Sequence, residues 1–264
     1  MPEPRSYSTE AIIIKKTKLG EADSILTLYT PHIGKIQGFA KSLRKPKSKL
    51  AGHLELLTYS QVSLARGKSL GTITGSQTIK TFLPLKSDLW LSSCALYVIE
   101  LVNQFTADHI ENSPLFQLLL ETMHRLCWGG DSELVLRCFE VNLLNEVGYR
   151  PQLQRCVSCR SPLEPTTNSF CSGAGGVLCP ACHQSQPSAY PLSLNALNVL
   201  RLMQSGDYET ASRLRLSTEL SRELEGVMRD YLQYFLEREV KSITWRDTLR
   251  EQDGQAAFNR QATS

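Results

Sequence analysis

Two Cys-x-x-Cys pairs constrain this chain more than any other feature of its sequence. Cys156 pairs with Cys159 and Cys179 with Cys182, and 19 residues separate the two pairs. Two thiolates at this spacing can turn through a tight knuckle and present both sulfurs to one tetrahedral ion. Two knuckles complete the coordination shell, and their separation is typical of four-cysteine zinc sites. The sequence therefore predicts a closed, structural Zn2+ site with these four cysteines as ligands.

The segment around these cysteines, residues 149–191, has a composition that cannot supply a core. It holds five of the eight cysteines and six of the twelve prolines, and a bound metal would order it. Disulfides and haem attachment at the run ending in His183 both require export, which the sequence does not indicate. A redox role is possible for either pair alone, but two pairs favour metal. Cys171 has no partner at this spacing and is interpreted as a spare thiol.

The hydrophobic periodicity changes at Asp88. The preceding chain contains five short strand-like segments with glycine at the corners, namely 10–14, 24–30, 34–40, 55–66 and 70–82. This pattern predicts a small closed β-barrel of the OB-fold type. A sandwich or an SH3-like barrel would give a similar pattern.

Helical spacing of apolar residues follows in the rest of the chain. The predicted helices are 89–105, 114–128, 132–147, 192–204 and 218–240. Asp131, Gly148 and Ser193 are expected to cap them, and the polar residues 247–264 are expected to form a flexible tail.

An α+β protein with a divided helical domain is therefore expected. Its parts are an OB-fold nucleic-acid-binding domain at 1–85, a mainly α-helical domain at 86–148 and 192–246, and a zinc-knuckle insertion at 149–191.

Charge is distributed unevenly along the chain. Residues 1–86 hold 14 Lys and Arg against 5 Asp and Glu, whereas the remainder holds 15 against 21. A basic part joined to an acidic part indicates a polyanion-binding module attached to another function. Cationic side chains that contact phosphates release counterions, and the resulting affinity for nucleic acid does not depend on the nucleotide sequence. The predicted nucleic-acid contacts are Lys35, Lys41, Arg44, Lys45, Lys47, Lys49, Arg66 and Lys68.

Three aromatic residues in the flanking strands, Tyr29, Phe39 and Tyr59, could stack bases if they are exposed. The alternative interpretation of the basic segment is a solvated, mobile loop.

No recognisable catalytic constellation is present, and we expect a protein that is not an enzyme. The five histidines are scattered in the sequence, and the run beginning at Arg66 lacks the first glycine of a phosphate-binding loop. No apolar stretch is long enough to span a membrane, and the run 11–14 is too short for a signal peptide. The expected location is the cytoplasm, in association with the nucleoid.

Several short motifs, in this order, resemble the bacterial recombination mediator family RecO over nearly the whole chain. They are Gly20-Glu-Ala-Asp23, Leu28-Tyr-Thr-Pro31, Gly67-Lys-Ser-Leu70 and Gly175-Gly-Val-Leu-Cys179. The resemblance implies an OB-fold, a helical body and a zinc-binding insertion. It also implies binding of single- and double-stranded DNA, annealing of complementary strands, and assistance in loading RecA onto SSB-coated DNA together with RecR.

The helical body is expected to contact the acidic C-terminal tail of SSB through a local basic site. Candidates for that site are Arg125, Arg137, Arg213 and Arg215. Two other functions remain as alternatives: a zinc-ribbon, OB-fold protein that binds RNA or the ribosome, and a scaffold with a structural zinc and an incidental basic loop.

Overall fold

The computed structural model describes residues 6–67, 70–206, 208–236 and 240–262. These residues form two compact units. The first unit contains the described residues up to Trp128 together with those from Val240 onward, and the second contains those between Gly129 and Glu239. These units are defined by which residues pack together, and their boundaries differ from the domain boundaries expected from the sequence.

Strands form a barrel in the first unit and a small sheet in the second. The strands are β1 (Ser6–Leu19), β2 (Asp23–Thr30), β3 (Gly34–Ala40), β4 (Tyr59–Ala65), β5 (Gly71–Lys80), β6 (Asn168–Cys171), β7 (Gly176–Leu178) and β8 (Tyr190–Leu192). The helices are α1 (Pro84–Ser87), α2 (Leu89–Phe105), α3 (Ser113–Cys127), α4 (Ser132–Glu146), α5 (Leu194–Gln204), α6 (Tyr208–Ser212), α7 (Thr218–Leu236) and α8 (Lys241–Ala262).

The first five strands close into a barrel in the order β1-β2-β3-β5-β4, and β4 returns to β1. β3 and β5 pair in parallel, whereas the other neighbours are antiparallel. A five-stranded barrel of this kind confirms the predicted OB-type fold. Apolar side chains on alternate positions of the strands fill the barrel, among them Ile13, Leu26, Leu28, Val62 and Leu64.

The seam between β3 and β5 depends on a glycine. Added to Gly38, a Cβ atom would lie 2.8 Å from Cγ1 of Ile73. Real Cβ atoms do not approach carbon so closely, so glycine lets the two strands meet at Gly38 and Gly71.

The predicted helix caps are confirmed. Asp131 Oδ1 accepts hydrogen bonds from the N–H groups of Glu133 (3.0 Å) and Leu134 (3.2 Å). Ser193 Oγ accepts one from the Ala196 N–H at 3.1 Å, and Gly148 has a φ of +84° after α4. These residues satisfy donors or permit the left-handed turn at the ends of helices.

The residues expected to form a flexible tail lie in a helix in the structure, since α8 continues to Ala262. Its Arg246 is buried, and the guanidinium carbon lies 4.9 Å from the ring centroid of Tyr97 on α2. The backbone N–H of Ser242, on α8, donates a hydrogen bond of 2.9 Å to Oε2 of Glu100, which also lies on α2. A buried arginine gives no apolar periodicity, so the hydrophobic pattern missed this helix.

None of the described helices combines the length and the apolar composition that a bilayer-spanning segment needs.

Candidate metal centre and nucleic-acid interface

The four cysteines of the two pairs come together in the second unit, as predicted. The sulfur atoms of Cys156, Cys159, Cys179 and Cys182 all lie within 4.8 Å of one another, and those of Cys159 and Cys179 are 3.8 Å apart. Four sulfurs bonded tetrahedrally at about 2.3 Å would be separated by about 3.8 Å. The donor set and its spacing therefore fit a zinc ion.

Backbone hydrogen bonds shape both knuckles. In the first, the Cys156 N–H donates to Ser161 O and the Arg160 N–H donates to Cys156 O, each at 2.9 Å. Arg160 has a φ of +64°, which closes the turn. In the second, the Cys182 N–H donates to Cys179 O at 3.0 Å. These local turns bring both sulfurs of each pair to one side.

The polar surroundings act on the thiols in opposite ways. Hydrogen bonds from Ser161 lower the pKa of Cys159 to about 6, which favours the metal-binding thiolate. Ser158 lowers the pKa of Cys182, but Cys179 and Cys159 outweigh it and raise that pKa to about 11. A cation among the four sulfurs would favour the thiolate form of each cysteine and so lower these pKa values.

Cys171 lies outside the four-cysteine set. It is buried, it packs in a small core with Cys156 and Leu178, and its sulfur lies 3.6 Å from Ser188 Oγ. Its place in this core agrees with the interpretation of a spare thiol.

Aromatic packing attaches the cysteine-rich segment to α7. Phe170 of β6 meets the Tyr231 ring edge to face, with centroids 5.3 Å apart. Ser172 donates a hydrogen bond to the Asp230 carboxylate. The cysteine cluster is thereby built on a sheet that a helix holds in place.

Most of the predicted phosphate contacts lie in the connection between β3 and β4, where their side chains reach solvent. Lys41, Lys45, Lys47 and Lys49 are exposed. Arg44 is half-buried, because its guanidinium donates to Gly20 O and its backbone N–H donates to Ala22 O at 2.9 Å. Arg44 therefore ties this connection to the turn between β1 and β2.

Two further predicted contacts lie beyond β4. Arg66 is exposed, with its guanidinium carbon 5.9 Å from the ring centroid of Tyr7. Lys68 lies outside the described residues.

The placement of Lys35 contradicts its predicted role in DNA binding. Its side chain is buried, and its ammonium donates to Asn103 O at 2.7 Å and to Thr106 O at 2.6 Å. It also lies 3.5 Å from the Asp108 carboxylate. Lys35 therefore binds the C-terminal end of α2 and offers no free charge to phosphate.

Three exposed lysines that the sequence prediction left out lie on β1, and the last of them approaches the β3–β4 connection. Lys15, Lys16 and Lys18 are exposed on the second half of β1. Lys18 pairs with Ser24 of β2, which pairs with Ala40 of β3, the residue before Lys41. The sequence feature that could have predicted these contacts is the run of lysines directly after the apolar residues 11–14.

We call this surface the basic rim, defined as Lys15, Lys16, Lys18, Lys41, Arg44, Lys45, Lys47 and Lys49.

Of the three predicted stacking residues, Tyr29 is enclosed, whereas Tyr59 and Phe39 are partly covered. Tyr29 is 0% exposed, and its ring stacks on Phe116 with centroids 6.3 Å apart. Tyr59 is half-buried against the same phenylalanine and donates a hydrogen bond to Glu10. Phe39 is half-buried and stays a candidate.

The four arginines considered for an acidic tail differ in accessibility. Arg137 is buried and pairs with Glu140 at 2.7 Å, so it cannot receive a partner. Arg125 pairs with Glu121 at 3.1 Å. Arg213 and Arg215 are exposed.

Comparison with known proteins identifies one family along the chain. The family model described as recombination protein O, N terminal, matches residues 4–82, and that described as recombination protein O, C terminal, matches residues 86–243.

Individual relatives match over nearly the full length. The DNA repair protein RecO of Dehalococcoides mccartyi (strain CBDB1) is 48% identical over 253 residues, which cover 96% of this chain and 100% of the relative. That of Roseiflexus sp. (strain RS-1) is 40% identical, covering 94% of this chain and 87% of the relative. That of Halalkalibacterium halodurans is 32% identical, covering 92% and 95%.

Proposed function

Because this chain belongs to the RecO family of recombination proteins, we propose that it is a non-enzymatic mediator of DNA repair and homologous recombination. It binds single- and double-stranded DNA and anneals complementary strands. Together with RecR it assists the loading of RecA onto SSB-coated DNA. It acts in the cytoplasm, in association with the nucleoid.

The observation that carries this proposal is the basic rim on an OB-type barrel. OB-folds bind oligonucleotides through one face and its adjoining loops. Seven exposed lysines and the half-buried Arg44 lie on the second half of β1 and in the β3–β4 connection, which Arg44 ties to the turn between β1 and β2. The positive charge of this arrangement is complementary to the negative charge of a nucleic-acid backbone.

Annealing follows from charge neutralisation. Two complementary strands repel each other through their phosphates, and lysines that contact both strands remove this repulsion. Bases of single strands that are held through their backbones stay free to pair. Because pairing is itself favourable, the reaction needs no ATP.

The proposed DNA contacts are the residues of the basic rim and Arg66. Lys68 stays a prediction, and Lys35 is assigned to the structure of the barrel unit. The exposed Arg213 and Arg215 are the proposed basic site for the acidic C-terminal tail of SSB.

The proposed cofactor is a structural Zn2+ ion held by Cys156, Cys159, Cys179 and Cys182. The ion would supply no chemistry beyond holding the two knuckles together, because four protein ligands leave no open coordination position.

The decisive experiment is a fluorescence annealing assay with two complementary oligonucleotides, bare or coated with SSB, without ATP. In the test variant Lys45, Lys47 and Lys49 are changed to Glu. In the control variant Arg213, Arg215 and Arg222, which are also exposed, are changed to Glu, so the change in net charge is the same.

On bare DNA we expect the wild type and the control to accelerate pairing and the test variant to lose most of this effect. The dependence of affinity on salt should fall in slope by about three for three lost phosphate contacts. Equal losses in both variants would indicate nonspecific charge attraction and contradict the basic rim. A wild type without effect would contradict the proposed function.

A further inference from the structure

Trp128, at the C-terminal end of α3, presents its indole to solvent. The residue is 72% exposed. Its backbone N–H donates to His124 O at 3.1 Å and to Arg125 O at 3.2 Å. The indole rests against the His124 ring, with centroids 5.7 Å apart and planes at 57°. The ring is therefore exposed and yet fixed on a helix.

A lysine lies next to this aromatic pair. Lys80 Nζ is 3.0 Å from His124 Nδ1 and 5.5 Å from the ring centroid of Phe82. Burial and, second, the charge of Lys80 lower the pKa of His124. The neutral imidazole accepts one N–H of the ammonium, and two N–H groups remain for other acceptors.

The charges around the indole favour an anionic partner. Glu121, which also faces His124, is paired with Arg125 at 3.1 Å. Since this pair is neutral as a whole, the ammonium of Lys80 is the net charge among the groups that act on His124. An exposed aromatic face beside a cation is the combination with which proteins hold single-stranded nucleic acids.

We propose that Trp128 and Lys80 form a stacking site for one unpaired base of single-stranded DNA, apart from the basic rim. The indole stacks on the base, and the ammonium binds the neighbouring phosphate. A base in a duplex is stacked on its neighbours and presents no free face, so the site distinguishes single strands from duplexes. This inference rests on the proposed function, to which it adds a contact to bases.

The test compares Trp128→Ala and Trp128→Phe with the wild type. The probes are oligo-dT, an abasic oligonucleotide of the same length and a duplex, and affinity is measured by fluorescence anisotropy. We expect Trp128→Ala to bind oligo-dT about tenfold more weakly, as for other base-stacking residues. Its affinity for the abasic strand and the duplex should be unchanged. Trp128→Phe keeps an aromatic face and should retain most of the affinity.

Tryptophan emission gives a second measurement. Oligo-dT should quench the wild type more strongly than Trp128→Phe, which retains Trp90 and Trp245. Equal quenching in both proteins would overturn the inference.

The outcomes separate this inference from the proposed function. A wild type that binds none of the probes contradicts the proposed function and the inference with it. A wild type that binds, together with a Trp128→Ala variant of equal affinity for oligo-dT, overturns the stacking site alone. Weaker binding of all three probes would also overturn it, because loss of a base contact cannot affect the abasic strand.

Discussion

The ammonium of Lys35, the second residue of β3, donates a hydrogen bond of 2.6 Å to the carbonyl oxygen of Thr106, the C-cap residue of α2. The last carbonyls of a helix have no partner within the helix and carry partial negative charge. Lys35 satisfies two of them, since Asn103 O accepts at 2.7 Å. The backbone continues the contact, because the His109 N–H donates to Lys35 O at 2.9 Å. A lysine from the most basic part of the sequence therefore joins the barrel to its helix.

Replacement of Lys35 by Met should destabilise the protein without affecting the DNA contacts. Two partly buried carbonyls at the end of α2 would lose a charged donor, so we expect the free energy of unfolding to fall by about 2 kcal/mol in urea denaturation. DNA affinity of the folded protein should stay within about twofold of wild type. Lys49→Met, at an exposed position, should leave the free energy of unfolding unchanged and weaken DNA binding. Normal stability with weakened DNA binding in Lys35→Met would refute this assignment.

Metal analysis should find one zinc ion per chain. Cys159→Ser removes a member of the cluster and should release the metal, whereas Cys171→Ser should retain it because Cys171 lies outside the cluster. Release should expose residues 149–191 to proteases, since this segment has little apolar core of its own. Full zinc content in Cys159→Ser, or its loss in Cys171→Ser, would show that the ligand set is different.

Acidification should release this metal, because thiolates bind zinc and thiols do not. The zinc released can be followed with a colorimetric chelator as the pH is lowered. Hydrogen bonds from Ser161 lower the pKa of Cys159 to about 6, and Ser161→Ala should therefore raise the pH at which release begins. Release at the same pH in both proteins would argue against this role of Ser161.

Gly38→Ala should open the seam between β3 and β5. Its Cβ would lie 2.8 Å from Cγ1 and 2.9 Å from Cδ1 of Ile73, and we expect a loss of about 1–3 kcal/mol in the free energy of unfolding. Ile73→Ala removes both of these carbons and destabilises the wild type by leaving a cavity. In a double-mutant cycle the combined loss should be smaller than the sum of the single losses. Strict additivity would contradict a clash at this contact.

Arg246→Ala should loosen α8 from α2. The guanidinium carbon lies 4.9 Å from the ring centroid of Tyr97 and 5.7 Å from that of Trp90, and a desolvated cation–π contact contributes about 2 kcal/mol. We expect faster cleavage after Val240 in limited proteolysis. Asp247→Ala, on the same helix, is the matched control and should leave the cleavage rate closer to that of the wild type.

The amino-acid sequence by itself determined those features that depend on neighbours along the chain. The spacing of the cysteines set the two knuckles, because each turn forms within a few residues. Helix ends followed from Asp131, Ser193 and Gly148, whose side chains or backbone freedom act on the adjacent turn. The change from strand to helix periodicity at Asp88 placed the barrel before the helices, as the structure confirms.

Only the tertiary structure decided which charged and aromatic side chains reach solvent. Lys35 and Lys41 lie in the same basic segment, yet one is buried at the end of α2 and the other is exposed. Tyr29 is enclosed against Phe116, whereas Trp128 is exposed. Accessibility depends on which distant element covers a residue, and composition does not record that. For the same reason the sequence did not predict α8, because this helix packs on α2 through the buried Arg246 and not through an apolar stripe.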